Sequence, residues 1–261
     1  MGENGASEQA ANGEKTANQW AALILAAGKG RRMGGTRAKV LHEVAGRSML
    51  AWVIDAARAA GAARTVVVVG HDRESVIASL PGGTEWVVQE KPLGTGDAVR
   101  AAEGVLGRWP GGLWVLCGDV PGISPGTLRR LAARHVETGA SCTVLTMVLE
   151  DGGRYGRVVR DGSGNVAKIV EFGDASEEER AVRELNSGTY AFRAHDLFET
   201  LPRLSNRNAQ GEYYLTDVVR LMLQDGKIVA SVEAVDPREC MGGDTPEALE
   251  AIRAAWGSLA R

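Results

Sequence analysis

Apolar residues along the chain fall into two kinds of pattern, and the two alternate. Short continuous runs, Leu23–Ala27, "TVVVVG" at 65–70, "EWVVQ" at 85–89, "GLWVLCGD" at 112–119 and "SCTVLTMVL" at 141–149, read as strands. A strand covered on both faces is continuously apolar, whereas one half exposed would alternate. Between them, 49–60, 95–106 and 124–139 carry apolar residues at helical spacing. The last has Ser124 as N-cap, Pro125 in the first turn and Gly139 as stop. Strand and helix in alternation predict an α/β fold with a doubly wound, mostly parallel mixed sheet. Such sheets take ligands beyond the carboxyl ends of their strands. Three predicted strands end in "AAGKG", "QEKPLGTG" and "CGDVP".

The second half reads differently. "YGRVVRDGSGNVAKIVEF" predicts a hairpin turning at 161–165, and "ELNSGTYAF" another strand. A loop, "LSNRNAQGEYYLTD", leads to a helix ending at Gln224. A strand, "KIVASVEAV", and a final helix from Pro246 follow. With no internal repeat and no linker after Trp20, the expectation is one domain over 20–261, with an inserted β-rich lobe at roughly 150–215. The polar residues 1–19 are expected to form a disordered tail; they have no apolar segment of the kind a secretory signal needs.

Composition narrows the partners. At 261 residues and 44% apolar content the chain can bury a sizeable core. Its net charge of −3 gives no reason to expect a nucleic-acid polymer. Positive charge gathers instead in one loop: Lys29, Arg31, Arg32, Arg37 and Lys39 stand among four glycines with no acid between them. That suits a small polyanion. No apolar run approaches the roughly 18–20 residues of a membrane span. Cys117, Cys142 and Cys240 form no C-x-x-C pair, which fits a reducing cytoplasm.

The basic loop fits neither common phosphate grip. A P-loop needs Lys after its last glycine, but Thr36 follows Gly35; a dinucleotide fingerprint needs a third glycine where Met33 stands. Its glycines still let backbone N–H groups approach an anion, and Arg32 and Lys39 can neutralise phosphate oxygens. A solvated basic loop is the competing reading. Asp119, just past a strand, can hold Mg²⁺ against a triphosphate or simply shape a turn. Asp244, before the last helix, is either a second metal-binding carboxylate or a helix cap shared with Thr245. Gln89, with Gly94 and Thr95, offers an amide whose donor and acceptor match a pyrimidine edge; a plain turn is the alternative. No Ser/His/Asp or Cys/His pattern stands out, and the four histidines are scattered.

Taken in order, "LAAGKGxRM", "KVLHEVAG", "QEKPLGTGDA", "GDVP", "YGRVVRD", "IVEFGDAS", "ELNSGTYAF", "NAQGEYYLTD" and "GGDTPEAL" resemble the nucleotidyltransferase domain of N-acetylglucosamine-1-phosphate uridyltransferases. The resemblance covers Ala21 to Arg253. It implies that Ala26, Ala27, Gly28 and Gly30 line the nucleotide, with Arg32 and Lys39 on its phosphates. It implies that Gln89, Gly94 and Thr95 read uracil, and that Asp119 and Asp244 bind Mg²⁺ as cofactor. Gly156, Glu171, Asn186 and Thr216 would contact the sugar. The implied reaction is attack of N-acetylglucosamine-1-phosphate on the α-phosphorus of UTP, releasing pyrophosphate, in a cytoplasmic monomer or weak oligomer.

The chain departs from that pattern in places. Arg31 stands where Thr is frequent, Ala38 where Pro is, Cys117 where Tyr is common, Asp97 where His is frequent and Asp244 where Asn is usual. The hexapeptide repeats of an acetyltransferase domain are absent, so the resemblance implies no acetyl transfer by this chain. Another sugar phosphate, dTTP in place of UTP, and a non-catalytic nucleotide-sugar sensor remain the alternatives.

Overall fold

The computed structural model describes residues 19–34 and 37–259. The tail expected at 1–19 lies, apart from Gln19, outside the described residues. The chain opens with β1 (Trp20–Ala26), 3₁₀ turns at Arg31–Met33 and Lys39–Leu41, and a small ribbon, β2 (Glu43–Val44) and β3 (Arg47–Ser48). Then come α1 (Met49–Ala60), β4 (Ala62–Val69), α2 (Arg73–Ala78), β5 (Glu85–Val88), α3 (Thr95–Arg100), α4 (Glu103–Leu106), β6 (Gly112–Cys117), α5 (Pro125–Thr138) and β7 (Cys142–Val148). The second half adds β8 (Arg157–Arg160), β9 (Val166–Val170), α6 (Glu177–Arg180), β10 (Glu184–Arg193), α7 (Ala194–Thr200), α8 (Asp217–Gln224), β11 (Val229–Glu233) and α9 (Pro246–Leu259).

Local chemistry sets these bounds. The Ser48 hydroxyl accepts from Ala51 N at the start of α1, and Ser124 accepts from Thr127 N at the start of α5; each meets one of the N–H groups a helix start leaves unpaired. The single helix expected over 95–106 is two. The chain tightens at 101–102, where Ala102 N donates to Val99 O three residues back at 3.0 Å. That turn lets Ala98, Val99 and Leu106 enter the same core.

The main sheet is nine-stranded, with order β11-β7-β10-β6-β1-β4-β5 and the β8–β9 hairpin attached to β10. β6, β1, β4 and β5 run parallel to one another, as β11 does to β7. This is the mostly parallel, doubly wound arrangement that the alternation predicts. β10 breaks it by running antiparallel between β6 and β7. Alternation along β1 sends Ala21 and Leu23 to one core and Ala22, Ile24 and Ala26 to the other. Fully buried side chains such as Leu23, Ile24, Leu113 and Phe192 each contribute about 1.5–3 kcal/mol of transfer free energy. Among the described residues no helix is long and apolar enough to cross a membrane.

Candidate active site

The basic loop leaves β1 and folds back over the strand ends. Gly30 has φ 56°, and a Cβ there would stand 2.9 Å from the Lys39 Cβ, so the loop packs directly on the lysine stem. Two bonds tie it to the end of β4: His71 N donates to Ala27 O at 3.2 Å, and Ala38 N donates to Asp72 Oδ2 at 3.0 Å. The Ser75 hydroxyl, and then the Ala38 N–H, hold the Asp72 carboxyl below its ordinary range. Arg37 is exposed and the side chain of Arg31 lies outside what is described.

Lys39 Nζ lies 2.6 Å from Asp119 Oδ2, with both side chains largely buried. Burial alone would lower the lysine pKa. The neighbouring carboxylate, by charge and by hydrogen bond, more than offsets this, and the net shift is upward. Lys39 is therefore a fixed ammonium at neutral pH. Asp119 is held from both sides. Gly118 N donates to Leu25 O at 2.9 Å, and Gly243 N donates to Asp119 O at 2.8 Å. The second bond brings the turn carrying Asp244 to the end of β6. Asp244 Oδ2 in turn meets Arg32 Nη2 at 2.5 Å, a half-exposed pair. Packing of α9 on the β2–β3 ribbon holds that turn: Leu249 and Ile252 join Val44 and Met49 in a small core, and Arg253 Nε donates to Glu43 O at 2.9 Å.

Two cavities adjoin at this ion pair. The first, about 360 Å³, brings together Ala27, Gly28, Gly30, Gln89, Gly94 and Thr95 with Lys39 and Asp119. The second, about 300 Å³, gathers Gly156, Glu171, Asn186, Thr216 and Asp244 with the same Lys39 and Asp119. Each is in the size range of small-ligand sites. Gly94 shapes the first. Its φ is 112°, and a Cβ would stand 2.6 Å from Tyr213 O, so the loop after β5 runs against the 212–215 segment. Gly96 N donates to Tyr213 O, and the Thr95 hydroxyl accepts from Leu215 N at 3.0 Å. Thr95 thereby touches the wall of both cavities.

A bulge in β10 builds the second cavity. Its register against β7 shifts between Asn186 and Tyr190, which re-aims side chains as bulges do beside binding sites. Asn186 is 8% exposed, and its Oδ1 accepts from Gly188 N at 3.1 Å. Glu171 at the end of β9 accepts from the Thr216 hydroxyl at 3.0 Å. Burial raises the Glu171 pKa against that bond, and the neighbouring Asp174 and Asp217 add to the rise. Cys117, on the shared wall, is pushed up to about 12 by burial, with Asp119 adding to the effect. It is a protonated thiol, unsuited to nucleophilic attack. Among the described residues no histidine lines either cavity. His135 is buried on α5, its Nδ1 3.0 Å from Thr143 Oγ1.

Of the residues expected at the site, two do not line a cavity. Ala26 is 2% exposed and packs in the core with Ile24, because alternation turns its side chain to the opposite face from the Ala27-side core. Arg32 reaches the site through Asp244. The expectation that Gln89 offers both ends of its amide needs correction: Nε2 is taken by Gly94 O at 3.0 Å and Asp97 Oδ2 at 2.8 Å. Lys29 of the basic loop lines the first cavity; sequence reading missed Gln210 and Glu212 there and Arg154 and Tyr155 on the second. Tyr155 sits inside the quoted "YGRVVRD" motif. Gln210 and Glu212 sit inside "NAQGEYYLTD".

A mostly parallel α/β sheet with a cationic glycine loop at its carboxyl edge and a buried Lys–Asp pair between two cavities defines a nucleotide-handling domain of the transferase type. The chain belongs to the MobA-like NTP transferase domain family, which matches residues 22–219. Relatives include the "Bifunctional protein GlmU" of Exiguobacterium sibiricum, 47% identical over 228 residues, 87% of this chain and 51% of that one. That of Geobacter metallireducens is 47% identical over 239 residues, 90% of this chain and 50% of that one. The chain thus spans about half the length of the curated relatives it matches. Among solved structures, a UDP-glucose pyrophosphorylase complexed with UDP-glucose shares the fold. Its TM-score is 0.75 at 17% identity, covering 92% of this chain and 98% of that one.

Proposed function

We propose that the domain is a uridylyltransferase making UDP-N-acetylglucosamine and pyrophosphate from UTP and N-acetylglucosamine-1-phosphate. The observation that carries the reading is the Lys39–Asp119 pair on the wall common to both cavities. A nucleotide in the first and a sugar phosphate in the second would meet there. The barrier to joining them is repulsion between two anions plus charge developing on the departing pyrophosphate. A sugar phosphate already carries about 1.5–2 negative charges at neutral pH, so the nucleophile needs no general base. The absence of histidine from the described cavity walls agrees with that chemistry. Positioning and fixed cations then supply most of the rate.

The donor set fits a hard divalent cation. Asp119 and Asp244 are carboxylates on one cavity, and Mg²⁺ favours a few carboxylates completed by substrate oxygens. Asp119 and Asp244 would hold Mg²⁺, which would supply charge neutralisation and orientation of the triphosphate. Lys39 and Arg32, paired with those same carboxylates, would turn to the phosphate oxygens. In this reading Gly28 and Gly30 give backbone room beside the triphosphate, and Gln89, Gly94 and Thr95 take uracil. Gly156, Glu171, Asn186 and Thr216 take the sugar; Glu171 accepts sugar hydroxyls and Asn186 meets the acetamido group. We place the protein in the cytoplasm, with three free cysteines and a small-molecule substrate pair.

Chromatographic detection of UDP-N-acetylglucosamine from UTP, N-acetylglucosamine-1-phosphate and Mg²⁺ tests the reading. The product should accumulate, stop on chelation and resume when Mg²⁺ is restored. Tight binding of UDP-N-acetylglucosamine with no turnover in either direction would instead mark a sensor.

A further inference from the structure

Asp97 is absent from the wall of the first cavity, yet together with Gly94 O it holds the nitrogen end of the Gln89 amide. Gln89 Nε2 lies 3.0 Å from Gly94 O and 2.8 Å from Asp97 Oδ2. Both partners are acceptors only, so both amide hydrogens are directed at them. Gln89 lines the cavity, and its Oε1 is the polar end left for a ligand. Asp97 is itself held. Arg100 Nη1 stands 3.8 Å from Asp97 Oδ1, Arg100 Nη2 donates to Leu201 O at 3.0 Å, and the guanidinium lies 4.9 Å from the Tyr213 ring centroid. The chain from Tyr213 and Leu201 through Arg100 and Asp97 to Gln89 is continuous, and every link of it is polar or cation–π.

We propose that Asp97 is a positioning residue that sets nucleobase choice by locking the Gln89 carbonyl toward the base. This rests on the uridylyltransferase reading above. Uracil carries one donor on its pairing edge, the imide N3–H, and a lone acceptor matches it. Cytosine has an unprotonated ring nitrogen at that position, so two acceptors would face each other with nothing between them. Thymine shares the imide and passes the same test; the selection is for imide over amino pyrimidines. An asparagine at position 97 can turn its NH₂ to Gln89, which leaves Gly94 O as the one remaining acceptor on that amide and so weakens the preference for the carbonyl-out orientation that rejects cytosine.

Steady-state pyrophosphate release from UTP and from CTP, at saturating N-acetylglucosamine-1-phosphate and Mg²⁺, compares the wild type with Asp97→Asn and Asp97→Glu. The wild type should prefer UTP. Asp97→Asn should lower kcat/KM for UTP roughly tenfold, the weight of one such hydrogen bond, chiefly through KM. It should also narrow the UTP-to-CTP ratio tenfold or more, while Asp97→Glu, still acceptor-only, restores most of the ratio. Asp97→Ser, which can also donate, gives the same comparison should the asparagine variant not fold. A wild type that prefers UTP with the ratio unchanged in these variants overturns the role of Asp97 and leaves the uridylyl reading standing. A wild type that releases no pyrophosphate from UTP overturns both.

Discussion

Removing the charge of Asp119 leaves the Lys39 ammonium in a largely buried position without its partner, while also taking away one of the two carboxylates that fit a divalent cation. Asp119→Asn, which keeps the volume, should therefore lower kcat/KM by about 10²–10³-fold, the usual weight of one preorganised electrostatic contact in a transition state. Lys39→Ala should lose a comparable factor, mostly in kcat, since its charge matters most when the leaving pyrophosphate develops. Unchanged kcat/KM in purified, folded Lys39→Ala would remove that residue from the chemistry. Glu171 gives a prediction of opposite sign for stability. Burial raises its folded pKa above the unfolded value, so its contribution to stability is full below the unfolded pKa and is lost as pH rises through the folded one. Glu171→Gln should thus raise the Tm near pH 7.5, and the gap should close near pH 4. Sugar binding should weaken in the same variant. A melting curve in which Glu171→Gln is no more stable than wild type at neutral pH would show that Glu171 is not strained by burial.

Elements whose ends carry their own chemistry could be read directly from the chain. α5 begins and stops where Ser124, Pro125 and Gly139 say it should, and the hairpin of β8 and β9 turns at 161–165 as its Asp and Gly residues require. β10 was legible as a strand but not as the antiparallel partner of both β6 and β7, because pairing is settled by which edges are left open and not by local pattern. The break between α3 and α4 was hidden for a related reason: Ala101 and Ala102 are good helix formers, and only the demands of the shared core turn the chain there. The loop entering α3 is the element most sensitive to substitution. At Gly94 a side chain would be strained at φ 112° and would meet Tyr213 backbone at 2.6 Å. Gly94→Ala should push the loop off the 212–215 segment, costing about 1–3 kcal/mol and raising KM for UTP tenfold or more. Kinetics with an unaltered KM for UTP would mean the loop does not carry the nucleotide.

At the scale of the whole molecule, the order of the motifs was informative where each motif alone was not. A cationic loop, a strand-end aspartate and a glycine-rich turn are separately ordinary. The sheet brings them to one edge because β1, β6 and β5 are parallel and end on the same side. What the chain could not disclose is the division of labour across that edge. One of the two bonds that hold the Gln89 amide comes from a helix residue, Asp97, which does not line the first cavity. The inward turn of Ala26 depends on strand alternation read one residue differently. The pairing of Arg32 with Asp244 depends on α9 docking from the far end of the chain.

The most direct test of the account is pyrophosphate release from UTP with Mg²⁺, with N-acetylglucosamine-1-phosphate and glucose-1-phosphate run side by side. Two cavities meeting at Lys39 and Asp119, with Glu171, Asn186 and Thr216 lining the second, and the sugar proposed to sit there, predict strong release with the N-acetylated sugar and weak release with glucose-1-phosphate. A clear preference for glucose-1-phosphate would contradict the assignment of the second cavity, and silence with both sugars would contradict the uridylyl transfer itself.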